Sequence, residues 1–186
     1  MATPLVHACV GVTLVAIPLL TNKQHFNLPM PKVIAGSILF ACLPDLDLIY
    51  SYLLTGDAIR LHFKHTHTLV FSLISGWLVW WFTNTKLALA ATLLVLSHVI
   101  VDGLTGPELG FYSTPGVPAF LPFSQLPVSF PMTLFHGVEH DNWFSQNNLI
   151  NAVYDIAIYG PILAISCWCL IRRKTLDSFK DREQKG

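Results

Sequence analysis

A histidine and an aspartate four residues apart form the strongest metal-binding pattern in this sequence. They are His98 and Asp102 in the segment SHVIVDGLT. Residues four apart lie on the same face of an α-helix, so the imidazole and the carboxylate can bind one cation from a rigid support. Nitrogen combined with carboxylate oxygen suits zinc, and also manganese or iron. Taken alone, the pair is equally consistent with a structural hydrogen bond.

Three more histidines lie within six positions in the segment RLHFKHTHTLV, directly before an apolar run. They are His62, His65 and His67. The first and the last lie on either side of a short turn and can reach the same centre. Because neutral imidazole is a common metal ligand, the cluster indicates metal binding by a loop at the end of a helix.

Two aspartates follow a proline in the segment ACLPDLDLIY. On an ideal helix Asp45 and Asp47 would point in different directions, because they are only two residues apart. Pro44 predicts that a helix starts or breaks at this point, and such a break changes where the two carboxylates point. Both remain candidates for the same site as the histidines.

The composition places these groups in a membrane protein. Of the 186 residues, 53% are hydrophobic and only 12% are charged, and the mean hydropathy is +0.54. Soluble domains carry about 25% charged residues. Backbone groups in lipid must be hydrogen-bonded within their own segment, so the apolar runs should be helices. These runs cover residues 4–20, 33–54, 68–82, 87–102 and 149–171.

We therefore expect an all-α fold, an integral membrane helical bundle with about five membrane-embedded helices. A membrane span takes roughly 20 residues, so the third and fourth apolar runs are short. We expect them to pack as a helical hairpin whose turn lies between Asn84 and Lys86. Residues 1–171 would form one membrane-embedded domain with the metal site, and residues 172–186 a basic cytoplasmic tail. All four cysteines fall in apolar runs and are expected to be packing residues: Cys9, Cys42, Cys167 and Cys169.

The stretch between the fourth and fifth runs, residues 103–148, contains six prolines and no lysine or arginine. The prolines exclude a continuous helix, and the aromatic residues favour a loop at the membrane interface. The positive-inside rule places this loop outside and the basic tail inside. We therefore expect a multi-pass protein of the cell (inner, or cytoplasmic) membrane. Seven of its eight histidines, including His7 near the outer end of the first helix, would gather on the extracytoplasmic side, with His25 as the exception.

Acidic residues in apolar helices would be costly without a partner. An aspartate at the centre of a membrane helix costs about 2.5–3.5 kcal/mol. Arg60 and Lys64 are the nearby cationic candidates in the sequence. A divalent metal would compensate the carboxylates and the imidazoles together, so we expect one, with zinc as the first choice. The formal net charge is zero, and nothing points to nucleic acid as a partner.

These motifs resemble the YdjM-like membrane-bound metal-dependent hydrolases. That family's pattern is an N-terminal histidine, then L-P-D-x-D, H-R-G-x-T-H-S, S-H-x-x-x-D-x-x-T and a proline-aromatic stretch. Over about residues 7–123 this chain has LPDLD, HFKHTHT, SHVIVDGLTGP and PGVPAFLPF in the same order. Phe63-Lys64 replaces the family's Arg-Gly and Thr68 its Ser, so Lys64 could stand in for the arginine only as a point charge. The resemblance implies the metal ligands His7, Asp45, Asp47, His62, His67, His98 and Asp102, with Thr105 completing the last motif.

The resemblance also implies hydrolysis by metal-activated water. A weaker similarity to zinc-dependent phospholipase C and related zinc nucleases implies a phosphoester. The expected position of the site favours membrane lipid, or a lipid-linked phosphate, as the substrate. Asp45 or Asp47 is the candidate general base, and His65 is a further catalytic candidate. Additional candidate ligands in the long loop are His136, Glu139 and His140.

Two other functional classes use the same residue types. A metal or proton transporter would place its ionisable groups near the membrane midplane. A non-catalytic membrane protein would use a structural metal, whose site is closed and four-coordinate. The ionisable groups here gather toward one end of the helices and outnumber four, which favours the hydrolase over both alternatives.

Overall fold

Helices make up most of the protein. A computed structural model describes residues 1–21, 28–139, 142 and 144–183, without the side chains of residues 19–21 and 173–183. The expectation of a mainly helical fold is confirmed within these residues, and each apolar run corresponds to helix within a few residues at its start. The α-helices are α1 (Pro4–Thr21), α2 (Met30–Cys42), α3 (Leu46–Thr55), α4 (Leu69–Phe82), α5 (Thr85–Gly103) and α6 (Gln146–Glu183).

The second apolar run is interrupted at the proline. Helix α2 ends at Cys42, a 3-10 turn covers Leu43–Asp45, and α3 begins at the next residue. Proline lacks the backbone N–H that would continue the helical hydrogen bonding, so the break predicted at Pro44 is confirmed. Asp45 therefore lies in the turn, whereas Asp47 lies in the first turn of α3.

Helices α4 and α5 form the predicted hairpin. The side chain of Asn84 accepts hydrogen bonds from the backbone N–H groups of Lys86 and Leu87, both at 3.1 Å, and so caps α5. At the other end of the hairpin Thr68 caps α4 by accepting from Phe71 N at 3.0 Å. These caps fix the N-termini of both helices of the hairpin, and α4 begins directly after the histidine cluster.

Helix α1 packs against α2, α5 and α6. Its Val12 and Ala16 are buried with Val33 of α2 and Leu170 of α6. Near its start Thr3 donates a 2.6 Å hydrogen bond to a carboxylate oxygen of the buried Asp155 in α6. The cysteines in these helices are unpaired, in agreement with their expected role in packing.

Three helical stretches are long and apolar enough to cross a membrane: Met30–Thr55, Thr85–Gly103 and Gln146–Arg172. The apolar helices Pro4–Pro18 and Leu69–Phe82 are shorter. The five-helix membrane topology and its orientation therefore remain predictions. Helix α6 continues past residue 171 to Glu183, so the basic segment begins as helix.

The proline-rich stretch folds over one end of the helices, and we call its residues 104–139 the cap. As predicted, the stretch contains no α-helix between Gly103 and Gln146 in the described residues. Its two short strands, Thr105–Gly106 and Phe135–His136, pair in parallel and are a small departure from an all-α fold. The cap is held to the helices by a buried cluster of Val99 with Val117 and Ala119.

The contact between α1 and α2 generates a prediction about two glycines. A Cβ at Gly11 would lie 2.5 Å from the Ala41 Cβ, whereas a Cβ at Gly36 would meet no atom within 4 Å. Gly11→Ala should therefore destabilise the protein by about 1–3 kcal/mol. Gly36→Ala should be neutral or stabilising, because alanine favours helix over glycine by about 0.5–1 kcal/mol.

Thermal unfolding of both variants in the same detergent, followed by circular dichroism, checks this expectation. The melting temperature should fall for Gly11→Ala and not for Gly36→Ala. Equal melting temperatures for the two variants would show that α1 and α2 do not pack as closely as described.

Candidate metal centre

Four side chains from three separate segments meet at one point. Asp45 comes from the 3-10 turn, His67 from the loop before α4, and His98 and Asp102 from the C-terminal part of α5. One ligand atom from each lies within 4.8 Å of the others, and the three outside the turn are buried. We call these residues the four-residue group.

The distances within this group fit a tetrahedral metal. His67 Nε2 lies 3.1 Å from His98 Nε2, 3.5 Å from Asp45 Oδ1 and 3.3 Å from Asp102 Oδ2. His98 Nε2 lies 3.3 Å from each of the same two carboxylate oxygens. A tetrahedron with metal–ligand bonds of about 2.0–2.1 Å has edges of about 3.3–3.4 Å. The donor set and its spacing therefore fit zinc.

The orientation of His98 is set by the end of α2. His98 Nδ1 lies 2.7 Å from the carbonyl oxygen of Ala41, so Nδ1 carries the hydrogen and donates it. Carbonyls in the last turn of a helix lack intrahelical partners, which leaves this oxygen free to accept. His98 Nε2 then presents its lone pair to the four-residue group, as a metal ligand requires.

The orientation of His67 is set by a short hydrogen-bonded relay. The Thr66 hydroxyl donates to Asp47 Oδ2 at 2.6 Å and lies 3.0 Å from His67 Nδ1. Since its single hydrogen goes to the carboxylate, the hydroxyl must accept from Nδ1–H of His67. His67 Nε2 is thereby left to face the four-residue group, in the same way as that of His98.

Positive charge is needed at the centre of this arrangement. Asp102 Oδ2 and both oxygens of Asp45 are buried and have no hydrogen-bond partner in the described structure. Burial by itself lowers the pKa of His67, but contacts with Asp102, Asp45 and Asp47 outweigh it and raise that pKa to about 10. The site therefore strongly favours a cation, either protons on the imidazoles or a metal ion.

A second group lies beside the first and shares His67. It contains Asp47, His62 and His67, all three of them buried. His62 Nδ1 lies 2.7 Å from Asp47 Oδ1. Both oxygens of Asp47 thus take part in hydrogen bonds, which distinguishes this carboxylate from that of Asp45.

His7 lies against the four-residue group without belonging to either group. Its ring stacks on His98 with 3.7 Å between centroids and 13° between the ring planes. Its Nε2 lies 3.4 Å from Asp102 Oδ1, an oxygen that also accepts a 2.8 Å hydrogen bond from Ala2 N. The structure therefore brings six of the seven predicted ligands into two groups and places the seventh in contact with them.

The other candidates lie outside both groups. His65 is exposed and lines a pocket that also contains Asp47. His136 packs its ring against Tyr154, and Glu139 accepts a 2.7 Å hydrogen bond from the Asn147 side chain. His140 lies outside the described residues.

Three contributors were missed by reasoning from the sequence. Thr66 could have been noticed, because it separates two of the clustered histidines. Nothing in the sequence marks the Ala41 carbonyl or Phe63. The Phe63 ring covers His62 and His67, with centroids 4.1 and 4.4 Å away. Its backbone has φ 64°, a left-handed value that is rare for a bulky residue and costs energy.

Comparison with known proteins assigns the chain to a family. The family of the YdjM inner membrane protein matches residues 1–175, nearly the whole chain, and the chain therefore belongs to this family. Together with the long apolar helices, the match makes this chain a membrane protein. Neither a curated protein nor a solved structure matches it.

The geometry predicts which histidine of the cluster matters for metal affinity. His67→Ala should weaken zinc binding by at least about 100-fold, since losing even an outer partner of a ligand costs 10–100-fold. His65→Ala is the matched control, two residues away and exposed, and should bind zinc as the unmodified protein does. Competition with a chromophoric chelator in detergent measures both. Equal affinities would remove His67 from the metal site.

Zinc binding should depend on pH with a defined sign. His67 has its pKa raised to about 10, so without metal it is protonated at neutral pH. Zinc binds neutral imidazole, so binding must release at least about one proton, and affinity should rise with pH from 6 toward 9. Calorimetry at pH 7.5 in buffers of different ionisation enthalpy counts the protons. A heat that does not change with the buffer would contradict the prediction.

Proposed function

We propose that this protein is a membrane-bound metal-dependent hydrolase that acts on a phosphoester, carried by a membrane lipid or a lipid-linked molecule. The observation that carries the proposal is the four-residue group, in which two imidazole nitrogens lie at tetrahedral spacing from carboxylate oxygens that are buried and have no hydrogen-bond partner in the described structure. When bound, a divalent metal supplies Lewis acidity, which makes water more acidic and neutralises charge on a phosphoryl group. Zinc is the first choice, with manganese or iron as alternatives.

Within this proposal the residues have separate tasks. Asp45, His67, His98 and Asp102 hold the metal. Asp47 keeps His67 oriented through the Thr66 hydroxyl, because both of its own oxygens already accept hydrogen bonds. Of the two aspartates considered as general base, Asp45 is the better placed, since its oxygens have no hydrogen-bond partner in the described structure.

A cavity of about 510 Å³ on the cap side borders the centre. Asp102 lines it together with Thr105, His136 and Glu139. No lysine or arginine is among its lining residues in the described part of the chain. Charge on a phosphate at the centre would therefore be countered by the metal, because this side offers no basic side chain.

The proposed location is the cell membrane, with several spans and the site on the extracytoplasmic side. The cap, which covers the metal centre, contains no lysine or arginine, whereas six of the eleven basic residues follow residue 171. This asymmetry supports the orientation through the positive-inside rule.

A structural metal is the second candidate, and one observation favours it. The four-residue group offers four ligand atoms at tetrahedral spacing, which is the composition of a closed site. A catalytic site keeps one position open for water. Under the hydrolase proposal, one of the two carboxylates must leave the metal or the coordination number must rise.

Turnover with and without metal distinguishes the two candidates. The protein is purified in detergent, loaded with zinc and tested on a soluble phosphodiester and on a panel of phospholipids. We expect hydrolysis that a chelator abolishes. Asp45→Asn should lose at least about 100-fold, because Asp45 is the proposed general base and such a group contributes about 10²–10⁴-fold. Asp57→Asn is the control, because Asp57 is exposed and lies outside both groups.

Bound zinc without turnover of any substrate in the panel would favour the structural metal. Turnover that persists after zinc has been removed would reject both the metal-dependent mechanism and the roles assigned here.

A further inference from the structure

An apolar groove of about 520 Å³ runs along the helices on the side away from the cap. Its walls come from α2, α4 and α5, and Val33, Phe40, Ile74, Leu78 and Leu94 are among its lining residues. Lys32 is the charged residue of this lining and lies at one end. The groove is separate from the cavity under the cap.

Small residues make room for the groove. Gly36 and Ser37 of α2, Ser75 of α4 and Ala90 of α5 all line it. The Ser37 hydroxyl donates a 2.8 Å hydrogen bond to the Val33 carbonyl of its own helix, so it offers little polarity to an occupant. A Cβ at Gly36 would meet no atom within 4 Å, which confirms open space at this wall.

The groove leads to the metal centre. Leu43 and Phe71 line both the groove and a smaller pocket of about 360 Å³. That smaller pocket carries Asp47, His65 and Thr66, two of which orient the metal ligand His67. A molecule following this path would pass from a largely apolar surface to a polar one beside the proposed metal-binding residues.

We propose that this groove holds a fatty acyl chain of the lipid on which the metal centre acts, with the lipid head group in the smaller pocket. The inference rests on the proposed function. Helices α2 and α5 belong to stretches long and apolar enough to cross a membrane, so the medium around the groove is lipid.

The length and polarity of the groove fit one lipid in one leaflet. Along α2 the lining runs from Lys32 to Leu43, which is about 16 Å at 1.5 Å per residue. One leaflet of the hydrocarbon core is about 15 Å thick. A lipid of the leaflet at the metal end has its head group at that end, and this is the end at which the groove joins a polar pocket.

The test introduces bulk into the groove from two opposite walls. Gly36→Phe and Ala90→Phe each add a ring to the groove lining, and either can stand alone if the other fails to fold. Leu39→Phe is the matched control, because Leu39 lies on α2, is 55% exposed and does not line the groove. Zinc binding by each variant serves as the check on folding.

The probe is a phosphatidylethanolamine with a photoactivatable diazirine near the end of one acyl chain, in vesicles of phosphatidylethanolamine and phosphatidylglycerol. We expect adducts on groove residues of α2, α4 and α5. These adducts should fall about tenfold in both groove variants, a loss equivalent to 1.4 kcal/mol of overpacking, and remain in Leu39→Phe. The ratio of long-chain phospholipid turnover to soluble phosphodiester turnover should fall in parallel.

The outcomes separate this inference from the proposed function. Undiminished adducts and an unchanged turnover ratio in both groove variants would overturn the groove as the acyl site, while the hydrolase would stand. Groove adducts without any turnover would reject the hydrolase and leave a lipid-binding groove. A groove without adducts would overturn the inference. If the groove variants also lowered the oligomeric state in detergent, the groove would be assigned to contact with a second copy of the chain.

Discussion

The structure depends on one electrostatic constraint, the convergence of four hydrogen-bond acceptors in an apolar bundle. The Nε2 atoms of His67 and His98 lie 3.1 Å apart, and each lies 3.3–3.5 Å from a carboxylate oxygen of Asp45 and of Asp102. Lone pairs at such distances repel unless positive charge lies among them, and burial strengthens the repulsion. In the described part of the chain the ion pairs of these acids are with histidines and not with lysine or arginine. A cation is therefore a structural requirement before any chemistry is considered.

The geometry that meets this requirement is set largely by backbone features. The Ala41 carbonyl fixes the tautomer of His98 because α2 ends one residue later. Helix α1 can approach Ala41 closely because residue 11 has no side chain. The positive φ of Phe63 turns the loop so that its ring covers the neighbouring histidines. The packing of α1 against α2 and the orientation of His98 are thus coupled, so a change in one should alter the other.

The features of this arrangement that depend on neighbouring residues could be predicted from the sequence. Those that depend on long-range contacts could not. The spacing of His98 and Asp102 sets their common face, and Pro44 sets the break, because both effects are local to the chain. Which of Asp45 and Asp47 joins the four-residue group, and which contacts His62 and Thr66, depends on the 3-10 turn at the break and on the position of the loop about twenty residues later. Pairing between Thr105 and Phe135 is likewise a long-range contact without a local signal. Helix α6 continues past its apolar run because lysine and arginine are good helix formers.

The turn at Leu43–Asp45 connects the apolar groove to the four-residue group. Leu43 ends the apolar groove, and two residues later Asp45 contributes its oxygens to the four-residue group. Enzymes that act on lipids must keep an apolar chain in a lipid-like environment and a charged ester at a polar centre. A helix that runs unbroken through this point would carry Asp45 and Asp47 to different faces, and the groove would not end at the metal. The proline therefore interrupts a span and also places the polar end of the groove and the candidate metal ligand Asp45 within one turn of the chain.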